Sequence, residues 1–429
     1  MAEVSQRQWR PVVKTHNHLF EAITSFENLI AAVRRAERGK RSQSSVGRFR
    51  TNIESEVLEL QRQLREKTYS PGAYREKIIT RPKERMISAA PFRDRVVHHA
   101  LCRVVMPLFE RRMIPDLYSN RAGKGTHAAI RRCQEFCRQY PYVLKCDIKK
   151  FFPSMDHAVL KAIIRRTIRC RSTLWLMDLI IDGSNRQEPV STVFPGDDLV
   201  TAATSRTPTS HLETGTPAER RFGSGLARDA SPFHEGRIES GAPSDSQTES
   251  RPTGAPVSNR PLSPERRVGL PIGNVTSQWF GCLYLDAFDH WVKEELRCPG
   301  YVRYVDDFLL FGRSKSELND WRAAIAERLV GFRLRLNERK SRGFPTAQGI
   351  TYLGQRIWPN RRRLCQANVR AARRRLRWNV RQFKLGHLSR EALVSRWNSW
   401  RGHAMQADTG ALVDRVRKEL CDALDATGK

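Results

Sequence analysis

Two adjacent carboxylates, Asp306 and Asp307, stand in the run Tyr301-Val302-Arg303-Tyr304-Val305-Asp306-Asp307-Phe308-Leu309-Leu310-Phe311, between two β-prone segments. Neighbouring residues of a regular strand point to opposite faces, so both acids can serve one site only where a hairpin turn breaks the pleat. Paired carboxylates at such a turn repel each other and favour a bound cation. The plain alternative is a solvated Asp-Asp turn, and the flanking apolar strands argue against it. A third acid, Asp147, closes the β-prone run Tyr142-Val143-Leu144-Lys145-Cys146-Asp147, and Phe151-Phe152 follow it. Three carboxylates at two strand ends can hold two Mg²⁺ ions, one activating a hydroxyl and one holding a triphosphate, which is the arrangement for in-line phosphoryl transfer.

Several elements must position these acids. Apolar residues recur at helical spacing from His18 to Arg38 and from Ile53 to Leu64, predicting two amphipathic helices at the start of the fold. Between Lys77 and Ser88, β-prone pieces flank the basic turn Arg81-Pro82-Lys83-Glu84-Arg85, a hairpin that could reach a phosphate, and Val96 to Phe109 reads as a helix. The chain has 429 residues, a net charge of +31 and 39% hydrophobic residues, enough for a buried core and a surface suited to a polyanionic partner. From 361 to 429 there are 17 basic residues against 6 acidic, with Leu376, Val380 and Phe383 spaced for a helix whose other faces carry arginine. Such helices track a phosphate backbone.

The remaining features bound the function. Half of residues 201–264 are Ser, Thr, Pro or Gly, with seven basic and seven acidic residues in balance, which predicts a disordered insertion. Nine cysteines form no C-x-x-C pair and read as reduced thiols of a cytoplasmic protein. Met1 to Thr15 lacks the apolar stretch of an export signal, and the most apolar stretch, Leu174 to Ile181, is interrupted by Asp178 and is too short to span a bilayer. His98, His99 and His403 lack metal-ligand spacing and read as structural.

These motifs resemble, in order along the chain, those of the reverse transcriptases of bacterial and phage retroelements. The Asp306-Asp307 hairpin looks like the Y-x-D-D motif, and Asp147 with Phe151-Phe152 resembles the preceding D-x-x-x-x-[FY] motif. Gly269-Leu270-Pro271-Ile272-Gly273-Asn274-Val275-Thr276-Ser277-Gln278 resembles the glycine-rich segment between them. Arg81 to Arg95, Asn120 to His127, Leu336 to Ser341 and Tyr352 to Ile357 resemble further family segments. Within the family the likeness is greatest to the enzymes of diversity-generating retroelements: Ile272 stands where many processive enzymes have Gln, the segment ends in Ser277-Gln278, and Trp397 to Ala404 resembles the tail of that group.

The resemblance implies an α+β right-hand polymerase: an N-terminal helical segment (1–76), fingers (77–141), a palm with an antiparallel sheet (142–359, carrying the insertion) and a basic helical thumb (360–429). It implies RNA-directed DNA synthesis on an RNA template and primer from dNTPs, with Asp147, Asp306 and Asp307 holding two Mg²⁺ ions and Lys340 protonating pyrophosphate. Lys83 and Arg85 would grip the triphosphate, and Phe152 would exclude a ribose 2′-hydroxyl, leaving Phe151 to the core. Ile272, Gly273, Ser277 and Gln278 would shape the floor under the new base pair, the glycine admitting close backbone approach. Tyr352, Leu353 and Gly354 would hold the primer. Loss of an amide at Ile272 predicts low fidelity, and a small basic accessory variability protein is the implied partner. A defence-associated or retron-like enzyme shares the chemistry, whereas a non-catalytic RNA-binding protein would not need three intact acids.

Overall fold

A computed structural model of the chain describes residues 15–80, 84–184 and 267–426. It opens with α1 (Phe20–Thr24), α2 (Phe26–Ala36), α3 (Ser44–Thr51) and α4 (Ile53–Arg65). The single helix expected over 18–38 is two, because Ser25 is extended (φ −62°, ψ 145°) and its hydroxyl accepts the N–H of Asn28 as an N-cap. The short α3 has a weak apolar pattern, with Val46 and Phe49 buried, and was not expected from the sequence. Asn28 is buried and ties α2 to the next long helix, donating to the carbonyl of Ala100 (3.1 Å).

The basic hairpin follows as β1 (Arg75–Ile79) and β2 (Arg85–Ala89), antiparallel, with Ile79 opposite Arg85. Lys83, with Arg81 and Pro82, lies outside the described residues, as does the whole 201–264 insertion. Next come α5 (Phe92–Glu110), α6 (Thr126–Gln139), β3 (Tyr142–Asp147), α7 (Phe151–Ser154), α8 (His157–Arg165) and α9 (Arg171–Asp182). On the far side of the undescribed segment lie α10 (Val275–Tyr284), α11 (Asp286–Glu294), β4 (Gly300–Tyr304), β5 (Asp307–Gly312), α12 (Lys315–Val330) and β6 (Arg342–Pro345).

Strands β3 to β6 form one antiparallel sheet in the order β4-β5-β3-β6, as expected of the α+β class. Alternation along the strands gives the sheet two apolar faces. Leu144, Cys146, Tyr301, Phe308 and Leu310 join the main core with the helices, while Val143, Val302, Leu309 and Phe311 join a second core with α6. Asp147 and Asp307 share the second face by parity, at the strand ends where the apolar pattern stops.

A three-stranded antiparallel sheet follows: β7 (Ile350–Tyr352), β8 (Gln355–Ile357) and β9 (Arg362–Leu364). Its first turn, Leu353-Gly354, has positive φ at both residues (46° and 85°), the twist that a two-residue hairpin prefers. Just before it, Gly349 sits at φ 81° with space for a Cβ only 2.5 Å from the Trp358 indole. Gly349→Ala is therefore expected to destabilise the chain by about 2–3 kcal/mol, read as a lower midpoint in urea unfolding.

The chain closes with α13 (Gln366–Lys384), α14 (Arg390–Ala404) and α15 (Gly410–Asp425). Leu376 and Val380 are buried on α13, whereas Trp378 stays 53% exposed among arginines. Arg373 of α13 pairs with Glu419 of α15 (3.0 Å), so part of the basic stripe holds the bundle together. Among the described residues no helix is long and apolar enough to cross a membrane.

Candidate active site

Strand register brings the acids together. Asp147 is the last residue of β3 and lies directly opposite Asp307, the first of β5. Asp306 precedes it in the two-residue turn that joins β4 to β5, whose strands pair up to Tyr304 and Asp307. Like charges placed opposite each other destabilise a sheet, and this one offsets them with cations. The Lys340 ammonium donates to Asp147 Oδ2 (2.9 Å), joined there by Asn337 Nδ2 (3.0 Å). Lys145, two residues before Asp147 on the same face, reaches Asp307 Oδ2 (3.5 Å) and the Thr351 carbonyl (2.8 Å).

The electrostatics follow from this crowding. Burial pushes Asp307 up to about 6; Lys145 opposes the rise, and the charges of Asp306 and Asp147 add to it. Asp306 is likewise raised, chiefly by burial and then by Asp147, while Arg85 and Lys340 pull it down. Arg85, the first residue of β2, thus lowers Asp306 through its charge. Among the described residues Asp307 Oδ1 is buried without a hydrogen-bond partner.

The turn itself is strained. Val305 has φ 60°, a left-handed conformation that a β-branched side chain rarely adopts. Both its backbone groups are held: its N–H donates to Ser119 Oγ (3.1 Å), and its carbonyl accepts from Arg303 Nη1 (2.9 Å).

The glycine-rich segment is fastened to β2 and the residue after it. The Ser88 N–H donates to the Ile272 carbonyl (3.0 Å), the Ala90 N–H to Asn274 Oδ1 (3.2 Å), and Asn274 Nδ2 to the Ser88 carbonyl (3.0 Å). At Gly273, with φ 120°, a Cβ would lie 3.0 Å from Ile87 Cγ2, which would have to give by a few tenths of an ångström. Ile272 is half-buried, Gln278 is exposed, and Ser277 is buried, so any part Ser277 has in the floor is to shape it from below. Phe152 packs on Phe151 (ring centroids 5.4 Å) and keeps part of its ring exposed, whereas Phe151 is buried.

Other expected residues stand elsewhere. Tyr352 is fully buried in the second core, so its ring is not available to a primer; strand alternation points it inward. Leu353 and Gly354 form the partly buried turn beside it, Leu353 packing on the second core, and the Gly354 carbonyl accepts from Asn368 Nδ2 (3.1 Å) at the start of α13. Lys340 is bound to Asp147 in this state rather than free at a leaving group. His98 is fully buried and pushed down to about 3 by that burial, His99 to about 4, and His403 stacks near His127 (5.8 Å), none of them beside the acids.

Sequence reasoning missed Lys145, Asn337, Ser119, Arg303, Asp289 and Asn274. Lys145 was findable from strand parity alone. The others are brought in by tertiary packing that no local pattern announces.

The acids also meet the requirements of a divalent cation. They supply hard oxygen donors, one of them an unpartnered buried oxygen, and their mutual repulsion is what a cation relieves. Among the described residues no three His, Cys, Asp or Glu side chains already meet as a metal cluster; lysine ammoniums neutralise the carboxylates instead.

Comparison with known proteins agrees with the geometry. Residues 260–357, which hold the glycine-rich segment, the Asp-Asp turn and the Lys340 segment, match the family described as Reverse transcriptase (RNA-dependent DNA polymerase). A stretch of 96 residues is 26% identical to Nuclear intron maturase 1, mitochondrial, of Arabidopsis thaliana, covering 22% of this chain and 14% of that protein. The chain therefore spans only a small part of that curated relative. The matched residues carry Asp306, Asp307 and the glycine-rich segment and are similar to the corresponding part of a reverse transcriptase, while Asp147, which faces Asp307 from β3, lies outside the match.

Proposed function

We propose that this chain copies an RNA template into cDNA with Asp147, Asp306 and Asp307 as its catalytic acids. The observation that carries the reading is the register that seats Asp147 opposite Asp307, beside Asp306. The primer 3′-hydroxyl attacks the α-phosphate of a dNTP and pyrophosphate leaves. The three acids would hold two Mg²⁺ ions, which when bound lower the cost of the developing charge. Arg85, with Lys83, binds the triphosphate. Lys340 leaves Asp147 to donate a proton to the departing pyrophosphate. Glycine-rich backbone and Gln278 lie under the new base pair, and the Leu353-Gly354 turn with the basic helices α13 to α15 holds the duplex by shape and phosphate charge.

Within this activity we favour the enzyme of a diversity-generating retroelement, copying a template-repeat RNA with a small basic accessory protein in the cytoplasm. Ile272 supports the reading: its carbonyl is engaged by Ser88 and its side chain offers no hydrogen bond to test a base pair. The nine free cysteines fit a reducing compartment. Primer extension on an RNA template with Mg²⁺ and dNTPs, followed by sequencing of the product, tests both levels. Errors concentrated at template adenines support the mutagenic role, accurate copying supports a defence or retron-like role, and an active Asp306→Ala/Asp307→Ala variant overturns the catalytic assignment.

Phe152→Ala is expected to cut discrimination against ribonucleotides by about ten-fold or more, the scale that a steric gate on a single group provides. The ratio of kcat/KM for dCTP and CTP on one template measures it; an unchanged ratio would return Phe152 to a packing role.

A further inference from the structure

We propose that Asp289, Arg303 and Ser119 are positioning residues that hold the strained Val305-Asp306 turn, and that this brace sets where Asp306 and Asp307 stand. The inference rests on the reading that those two acids are catalytic, and assigns roles to residues that carry none in that reading.

Arg303 is wholly buried in the middle of β4, as is its partner Asp289 on α11. Its Nε donates to Asp289 Oδ1 (2.6 Å) and its Nη2 to Asp289 Oδ2, forming a bidentate pair. Tyr301, two residues earlier on the same strand face, donates its hydroxyl to Asp289 Oδ1 (2.7 Å). Arg303 Nη2 also donates to the Cys282 carbonyl on α10 (3.0 Å), which leaves Nη1 for the carbonyl of Val305. From the other side Ser119 Oγ takes the Val305 N–H and lies 3.2 Å from Cys282 Sγ.

The fixed fork of a guanidinium makes the arrangement specific, since Lys offers no planar set of donors aimed at four acceptor atoms on three residues. Stability alone does not account for it. Burying two charges is costly, and an apolar pair of similar volume often serves a core as well. What an apolar pair cannot do is hold the carbonyl of a valine at φ 60°. A backbone that relaxed from that conformation would swing Asp306 and alter the start of β5, where Asp307 faces Asp147. The same α10 that accepts from Arg303 begins next to Asn274, the residue clamped to β2 and the residue after it. One helix therefore references both the acid turn and the nucleotide floor.

The test uses the full chain and four variants: Arg303→Met/Asp289→Leu, which removes both charges together, Arg303→Lys, Ser119→Ala, and Val305→Gly, which frees the turn while leaving the brace intact. Three readouts are compared: primer-extension kcat and KM for dNTP, thermal unfolding, and Mn²⁺ binding to the nucleic-acid-free protein by electron paramagnetic resonance. The brace predicts that Val305→Gly, which keeps both hydrogen bonds to the turn, stays within about two-fold of the wild-type kcat, and that kcat falls by about ten-fold or more in the double variant, in Arg303→Lys and in Ser119→Ala, as a misplaced reacting group requires. It also predicts weakened Mn²⁺ binding in those three, KM for dNTP within about two-fold, and no loss of thermal stability in Val305→Gly, since glycine takes that φ freely. Ser119→Ala, which removes one arm of the brace without touching the buried charge pair, decides the matter if that pair cannot be replaced without unfolding. Folded Arg303→Met/Asp289→Leu and Ser119→Ala variants with wild-type kcat and Mn²⁺ binding overturn the brace while Asp306→Asn/Asp307→Asn stays inactive; an active Asp306→Asn/Asp307→Asn overturns the catalytic reading and the brace with it.

Discussion

Replacing Asp306 and Asp307 with Asn is expected to lower primer extension by about a thousand-fold or more while leaving the chain folded. The exchange keeps volume and removes the two charges that repel each other and Asp147 across the hairpin. Loss of activity follows because neutral amides bind a divalent cation weakly and cannot balance the charge that develops on phosphate. Gain of stability follows from the same electrostatics with the sign worked through. Asp307 titrates at about 6 in the folded chain, chiefly through burial, above the range of an exposed carboxyl. The native state therefore holds this proton more tightly than the unfolded state. Its contribution to stability is complete below the unfolded pKa and is lost as pH rises from about 4 to about 6. The loss is on the order of 1–3 kcal/mol. Asp307→Asn, with no proton to lose, should be more stable than the wild type at pH 7.5 by roughly this amount and no more stable at pH 4. Urea unfolding in EDTA at the two pH values checks it. A variant that copies RNA at the wild-type rate would refute the catalytic role, and equal unfolding midpoints at pH 7.5 would refute the electrostatic cost.

Legibility in the sequence was uneven for physical reasons. Strand alternation and an apolar run interrupted by two acids are local signals, so the Asp306-Asp307 hairpin and Asp147 at a strand end could be read without knowing their partners. The basic hairpin ahead of α5 was legible in the same way. The break at Ser25 was harder, because its capping hydroxyl competes with an apolar pattern that runs straight through it. Tyr352 was misread at the level of its side chain. A resemblance transfers a position, but whether a ring faces solvent or core is decided by the parity of a three-residue strand and by α6 packed beneath it. Arg303 was in plain view beside the acids, yet nothing local distinguishes a buried arginine from a phosphate-binding one. Its partner Asp289 lies on another element, and only the fold brings the two together.

Gly273→Ala is expected to reduce kcat/KM for dNTP by about a hundred-fold, with a smaller change in stability. The chain at Gly273 has φ 120°, where any side chain is strained, and a Cβ there would lie 3.0 Å from Ile87 Cγ2 on β2. Strain of this kind costs about 1–3 kcal/mol. It can be relieved by turning the peptide, which breaks the Ser88–Ile272 hydrogen bond, or by moving β2 away. Either route loosens the seam made by Ile272, Asn274, Ser88 and Ala90, and β2 begins with Arg85, whose charge reaches Asp306. A displacement near 1 Å in a group that positions a triphosphate is enough for the predicted loss. Ile87→Ala in the same chain separates the two causes. If the clash dominates, Gly273→Ala/Ile87→Ala recovers much of the activity; if backbone strain dominates, the double variant stays as impaired as the single one. Steady-state kinetics on one RNA template measures both, and a Gly273→Ala enzyme within about two-fold of the wild type would show that β2 does not depend on this seam for its place.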